Sequence, residues 1–382
     1  MAVMIMLTIN QMQAKASQIA DYYTDLQQRI FYLLIDASKS ENFLLQDSKN
    51  ILDWKLRMLA KLGALTTETV KLVAKTSKKS QSDILKLIKQ DGLTVATDIN
   101  QQMTDLLNKH VPISAEITAL IAGYARQTVG SLSQNVGSTL LQRNYQNNNA
   151  SKAFEEIINQ TALEVATGLK TPDRAFKDNI YKWRDNGIKT KLTDSAGHNW
   201  SLEGYTRMVV NTQVGRTYND VRIQTMKDFK SPLATMTSHP AARPACAPIQ
   251  GHVVNVVPES SEIYNDKYPT IYNYGYGTAA GTQGINCGHQ LYPYVEGVSH
   301  NFQKQYDPDE AIANMQVQQK QRYYERPIRS LKADLDLANR LDDKQAQANL
   351  KSRISSYQSK LRDIVKDNYF LTRQYDREQI YK

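Results

Sequence analysis

Apolar side chains recur at three- and four-residue steps over most of this chain, a spacing that restricts those stretches to helices packed through one face. Ile19, Tyr23, Leu26, Ile30, Leu33 and Ala37 form one stripe, with Gln, Asp and Arg between them. Ile51, Leu52, Leu56, Leu59 and Leu62 form a second, and Gly63 behind them predicts a helix stop, the next helix starting at Thr66 and Thr67. Lys71 to Lys79 reads as a solvated helix face and turn. Ile84, Leu85, Leu87 and Ile88 mark a further helix ended near Gly92, and Asn147-Asn148-Asn149 reads as a loop between two helical blocks. Thr171-Pro172-Asp173 opens a helix with proline at its first position. Near the other end, Leu350, Ile354, Tyr357, Leu361 and Ile364 step as a heptad seam that continues to Leu371 through Asn368. An earlier helix carrying Ile328, Leu331 and Leu335 is expected to fold back on it across Asp342-Asp343. An intermolecular coiled coil is the alternative use of the same seam.

Two segments break the helical spacing. Lys189 to Leu202 predicts two short strands around Asp194-Ser195-Ala196-Gly197, after which Leu202 to Phe229 returns to helix with Tyr205, Val209, Thr212, Val214 and Tyr218 on broadly one side. Between Ser231 and His300, Pro, Gly, His, Tyr and both cysteines concentrate while Lys and Arg thin out. Val253 to Val257 and Gln290 to Val295 read as strands there, and Asn273 to Gly284, with four glycines, as a loop. The fold class expected is mainly α with a small α+β module. The chain divides into a helical region at 1–149, helices with a β-hairpin near 189–202 within 150–230, the Pro/Gly/His/Cys-rich module at 231–300, and a helical hairpin at 301–382.

Composition excludes several classes. A chain of 382 residues, 41% hydrophobic and 22% charged, suits a folded protein with more than one packed unit. Met1 to Leu7 is apolar but lacks the basic start and small-residue cleavage site of a secretory signal. Ile30 to Ile35, the longest later apolar run, falls far short of the roughly 20 residues that span a bilayer. Two cysteines cannot staple a fold of this length. The net charge of +9 is spread along the chain without an arginine-rich tail, so it permits contact with polyanions without requiring it. The 22 tyrosines against 7 phenylalanines point to half-buried, hydrogen-bonding aromatic surfaces.

Chemistry-bearing side chains gather in the module. Ser238 to His252 contains His239, Arg243, Pro244, Cys246, Gln250, Gly251 and His252; about 35 residues later comes Gly284-Ile285-Asn286-Cys287-Gly288-His289-Gln290-Leu291-Tyr292-Pro293-Tyr294. Four of the six histidines and both cysteines lie between His239 and His300. Each segment alone is too short to bury itself, so the two are expected to meet. Three readings are open. Cys246, Cys287 and His289, with His239 or His252 as a fourth, satisfy the nitrogen and sulfur preference of a structural zinc, although Cys-x-His is a tight spacing. Cys287 beside His289 also has the elements of an activated thiol, that is, a Cys/His-site hydrolase, but no oxyanion-hole signature accompanies it. In the third reading the prolines fix the loop and the cysteines pack as small apolar groups. Phosphate-loop, nucleophile-elbow and His-Glu-x-x-His patterns do not occur. Tyr274-Gly275-Tyr276-Gly277 is reminiscent of a base-stacking platform, yet without interleaved Arg or Lys it reads as a loop.

At this cluster the sequence resembles the minor capsid protein 2 family of tailed phages and prophages of Gram-positive bacteria, related to the Mu-F-type head morphogenesis proteins. His239-x3-Arg243-Pro244, Ile249-Gln250-Gly251 and Asn286-Cys287-x-His289 followed by Tyr-Pro-Tyr carry the resemblance. Trp54 with Lys61-Leu62-Gly63-x-Leu65, Gly197-His198-x-Trp200-Ser201-Leu202-x3-Tyr205, and Gln321-Arg322-x2-Glu325-Arg326-x-Ile328-Arg329 extend it in the same order along the chain. The pattern departs from the family at Cys246, where relatives often have His, at Ile249, where an aromatic is common, and at Gly288, where Arg is common. Those departures argue against an invariant catalytic constellation. The resemblance implies a non-enzymatic virion component made in the host bacterial cytoplasm and placed in the capsid interior or at the portal vertex. It implies portal or other capsid proteins as partners, non-specific contact with packaged DNA, no membrane span, and no cofactor beyond a possible structural zinc. A nucleic-acid-binding role inside the head is the alternative.

Overall fold

The computed structural model of this chain describes residues 9–41, 49–193, 197 and 199–380. The Met1–Leu7 segment, His198 and most of the turn at Asp194–Gly197 therefore lie outside the described residues. Three- and four-step spacing becomes helix as expected. α1 (Ile9–Ser40) buries Ile19, Tyr23, Leu26, Ile30 and Leu34 along one face. α2 (Ile51–Ala60) buries Ile51, Trp54 and Met58, so the second stripe is corrected: Leu52 and Leu56 face outward. α3 (Leu62–Leu85) runs through a π-helical turn at Lys86–Gln90 into α4 (Asp91–Leu107). Lys71, Lys75, Lys78 and Lys79 on α3 are exposed, as a solvated face should be.

Both glycine stops are corrected. α2 gives way to α3 at Lys61, so Gly63 lies in the first turn of the next helix rather than behind the last turn of the previous one. Gly92 lies inside α4, where a Cβ would sit 3.4 Å from Ile121 Cγ1 of α5 (Ala115–Leu132). It continues the helix and does not terminate one.

α5 continues through a π turn at Ser133–Gly137 into the short α6 (Ser138–Leu140). Asn148 then caps α7 (Asn149–Ala166) by accepting from the Ala150 and Ser151 amides. Thr171 caps α8 (Pro172–Asn186), with proline in the first turn as the sequence indicates. β1 (Lys189–Thr193) pairs antiparallel with β2 (Asn199–Ser201).

α9 (Leu202–Asp228) departs from the one-sided helix expected of it. Its buried residues run around the whole circumference, from Tyr205 and Thr206 to Val214, Asn219, Val221 and Arg222. The reason is tertiary: α1, α4, α5 and the module's sheet pack on it from different sides. Three of its buried threonines satisfy their hydroxyls within the helix, Thr206 donating to Leu202 O, Thr217 to Gln213 O and Thr225 to Val221 O.

The module holds a three-stranded antiparallel sheet in the order β4 (Val253–Asn255), β3 (Leu233–Met236), β5 (Leu291–Pro293). Thr235 stands opposite Val253 on one side and Tyr292 on the other. α10 (Pro308–Arg340) and α11 (Lys344–Asp367), capped by Asp307 and Asp343, then form an intramolecular hairpin around Ile328, Leu331, Ala338, Leu350, Ile354 and Leu361. The seam stops at Asp367. Asn368 takes an extended backbone and its side-chain amide donates to Ile364 O, so Leu371 is buried from the tail rather than from the helix. One apolar cluster runs from Ala16 on α1 to Leu341 after α10, with the hairpin as a smaller second cluster. Among the described residues no helix is long and apolar enough to cross a membrane.

Candidate functional site

The site is built where a tight turn and a glycine-hinged loop meet over α9. In the turn, Ala247 N donates to Arg243 O and Gln250 N to Cys246 O, which winds 243–250 tightly and turns Cys246 inward, fully buried. Gly251 follows at φ +75°, its Cα against the Lys304 carbonyl, where a Cβ would come within 2.8 Å. The second segment is brought in by the loop before it. A Cβ on Gly284 would lie 2.4 Å from Ala279 O, so only glycine lets the loop close and present Cys287, whose amide donates to Gly284 O. Arg243 joins the two segments directly, donating to Ile285 O at 2.7 Å.

Side chains then converge. Cys246 Sγ lies 4.0 Å from Cys287 Sγ, and Cys287 Sγ lies 3.5 Å from His289 Nδ1. One donor atom from each of Cys246, Cys287 and His289 falls within 4.8 Å of the others. The His239 ring lies beside that of His289, centroids 4.8 Å apart, and His239 Nε2 is buried without a hydrogen-bond partner. Gln250 organises both histidine segments: its Oε1 accepts from the His239 amide at 2.9 Å and lies 3.0 Å from His289 Nε2. His252 is exposed, and the three residues whose donor atoms gather are Cys246, Cys287 and His289. Asn286 is exposed, and with Pro244 it lines the opening rather than the cluster.

Electrostatics follow from burial and neighbours. Cys246 Sγ donates to Thr282 Oγ1 at 3.6 Å, and its contact with Cys287 holds the Cys287 thiol well below the ordinary thiol range and pushes Cys246 up. Burial, with His289 alongside, pushes His239 down to about 4. The cluster opens onto a cleft of about 630 Å³ between the module, α10 and the tail after α11. Arg243, Arg322 and Arg377 line it, and no carboxylate does among the described residues. Burial and the neighbouring Arg377 lower Arg322 to about 10, and its Nε is buried without a partner.

Several residues that hold the site carried no signal in the sequence. Asn219 of α9 donates to His289 O at 2.9 Å and to Gln283 Oε1, and its Oδ1 accepts from the Leu291 amide at 3.3 Å. Asp220 beside it accepts from Tyr276 at 2.6 Å and from Tyr124 on α5. The Tyr-Gly-Tyr-Gly run is thus anchored through Tyr276 to the central helix. A lone Asn and Asp in a helix have no periodic or motif signature; a buried-all-round α9 would have been the clue.

The comparisons bear on what such a chain is. The model of the family described as phage minor capsid protein 2 matches residues 7–366. The chain belongs to the phage minor capsid protein 2 family. It is 51% identical over 365 residues to a "Structural protein" of Lactococcus phage LL-H, covering 95% of this chain and 98% of that relative. It is also 60% identical over 117 residues to a "Structural protein" of Lactococcus phage mv4, covering 31% of this chain and 95% of that one. No solved structure matches the chain. For a minor capsid protein, the geometry offers two chemistries: a compact set of soft and imidazole donors for a cation, and an arginine-lined cleft for an anion.

Proposed function

We propose that this minor capsid protein sits at the portal or on the inner face of the capsid, contacts portal or other capsid proteins, and serves head assembly or DNA delivery. The observation that carries the reading is the family match along nearly the whole chain, joined by near full-length identity to a phage structural protein. The surface supports it: Leu52 and Leu56 stand outward one turn apart on α2, 56% and 64% exposed, and Leu169 after α7 is 74% exposed. Such apolar side chains gain by being covered in an assembly. The Cys/His cluster is assigned a structural, non-catalytic role. Quantitative mass spectrometry of purified particles and of isolated portal complexes tests the proposal. Recovery of the chain in both is expected; absence from both overturns it.

A second reading has its own observation. Arg243, Arg322 and Arg377 around one cleft suit phosphate, so contact with packaged DNA is the nucleic-acid alternative. It requires binding that weakens steeply with salt, and a salt slope reduced by about 1 for each arginine replaced. Salt-independent binding, or none, removes it.

A further inference from the structure

We propose that Cys246, Cys287 and His289 hold a zinc ion, with His239 as the fourth ligand, and that this ion staples the two halves of the module. In a tetrahedral site with zinc–sulfur bonds of about 2.3 Å and zinc–nitrogen bonds of about 2.0–2.1 Å, sulfurs stand about 3.8 Å apart and sulfur and nitrogen about 3.5 Å apart. Two of the three spacings, 4.0 Å between the sulfurs and 3.5 Å from Cys287 Sγ to His289 Nδ1, match that frame, and the three donor atoms together lie within 4.8 Å, so binding would draw Cys246 and His289 closer.

Hydrogen bonding independently presents the right nitrogen. The His239 backbone amide can only donate, so the Gln250 atom facing it is the carbonyl oxygen. That oxygen also faces His289 Nε2, which must therefore carry the proton. His289 Nδ1 is left with its lone pair toward Cys287, the tautomer that a metal ligand needs and the outer-shell support that metal-bound histidines characteristically have. Two of the donors are shielded, Cys246 fully buried and His289 5% exposed, while Cys287 is half-buried at the cleft. His239 supplies the remaining donor, a buried Nε2 without a hydrogen-bond partner, on a ring tilted 52° to that of His289 with centroids 4.8 Å apart. Arg243 to Ile285 O and Gln250 to His289 already bring the two segments together, and a zinc ion would add a cross-link at the centre of that contact in place of a disulfide.

The test uses the full chain, purified without a polyhistidine tag under reducing conditions. Elemental analysis should find one zinc per chain, released when the thiols are capped with a mercurial. Cobalt(II) loaded in its place should give the intense visible bands of a tetrahedral site and a thiolate charge-transfer band. Gln250→Leu removes no ligand and should weaken zinc binding about 10–100-fold through loss of outer-shell support. Cys246→His should keep one zinc per chain while weakening the thiolate band, which distinguishes a lost ligand from a lost fold. Less than a tenth of a zinc per chain after zinc is supplied, an octahedral cobalt spectrum, or a Cys246–Cys287 disulfide in purified particles would each overturn the assignment.

Discussion

The α10–α11 hairpin and the module at 231–300 are neighbours held together in different ways. The hairpin is closed by a repeating apolar seam, Ile328 and Leu331 against Leu350, Ile354 and Leu361, with exposed charges outside it. The module is closed by single polar side chains that reach distant backbone. Asn255, fully buried, donates to Asn265 O and Tyr268 O and accepts from the Asn265 amide; Asn219 reaches His289 and Leu291; Thr270 donates to Val257 O. A seam spreads its stabilisation over many interchangeable contacts. A network of this kind places it in a few groups whose loss leaves buried donors and acceptors unmet.

That contrast can be broken experimentally. Leu361→Ala, at a fully buried seam position, should cost about 2–5 kcal/mol and open the hairpin while the module stays protected from hydrogen exchange. Asn219→Ala should cost about 2–4 kcal/mol, because the His289 carbonyl and Leu291 amide lose their buried partner. Here exchange should rise in 231–300 and leave α11 untouched. Equal loosening of both regions by either variant would show that they form one cooperative unit.

The hairpin's docking should also respond to pH. Asp334 of α10 meets Arg184 of α8 at 3.0 Å, yet burial outweighs that cation and raises its carboxyl to about 6. Its unfolded value is about 3.9. Between those values the folded chain binds the proton more tightly, so this contribution is fully present below about pH 4. It is lost as pH rises to about 6 and is flat above that. Its size is on the order of 2 kcal/mol, and Asp334→Asn should abolish the slope in melts taken from pH 4 to 7. An unchanged slope would assign it to another group. At Gly251→Ala the left-handed φ of +75° alone costs about 1–2 kcal/mol, and the 2.8 Å approach to the backbone carbonyl of Lys304 adds to it. Urea midpoints suffice to measure it, and a neutral result would mean that the 301–307 segment yields.

Local chemistry was legible. The stripe of α1, the break at Asn147–Asn149, the helix start at Thr171 and the turn at Asp342-Asp343 between two apolar repeats are all read within a few residues, because helix spacing and capping act over one or two turns. The gathering of His239, Cys246, Cys287 and His289 in one stretch of chain was legible too.

Tertiary contact decided the rest. Gly63 and Gly92 both read as helix stops, yet both lie in the first turn of a helix, a Cβ at Gly63 meeting nothing within 4 Å and one at Gly92 touching Ile121, so what continues the chain as helix is not written at the glycine itself. The burial of α9 on all sides depends on helices far away in the chain. So does the cluster's geometry, since Gln250 orients His289 across 39 residues and Asn219 anchors it across 70. The sequence by itself determined which segments are helical and where the reactive side chains gather. Only the fold decided their spacing and protonation, because those depend on atoms that meet through space and not along the chain.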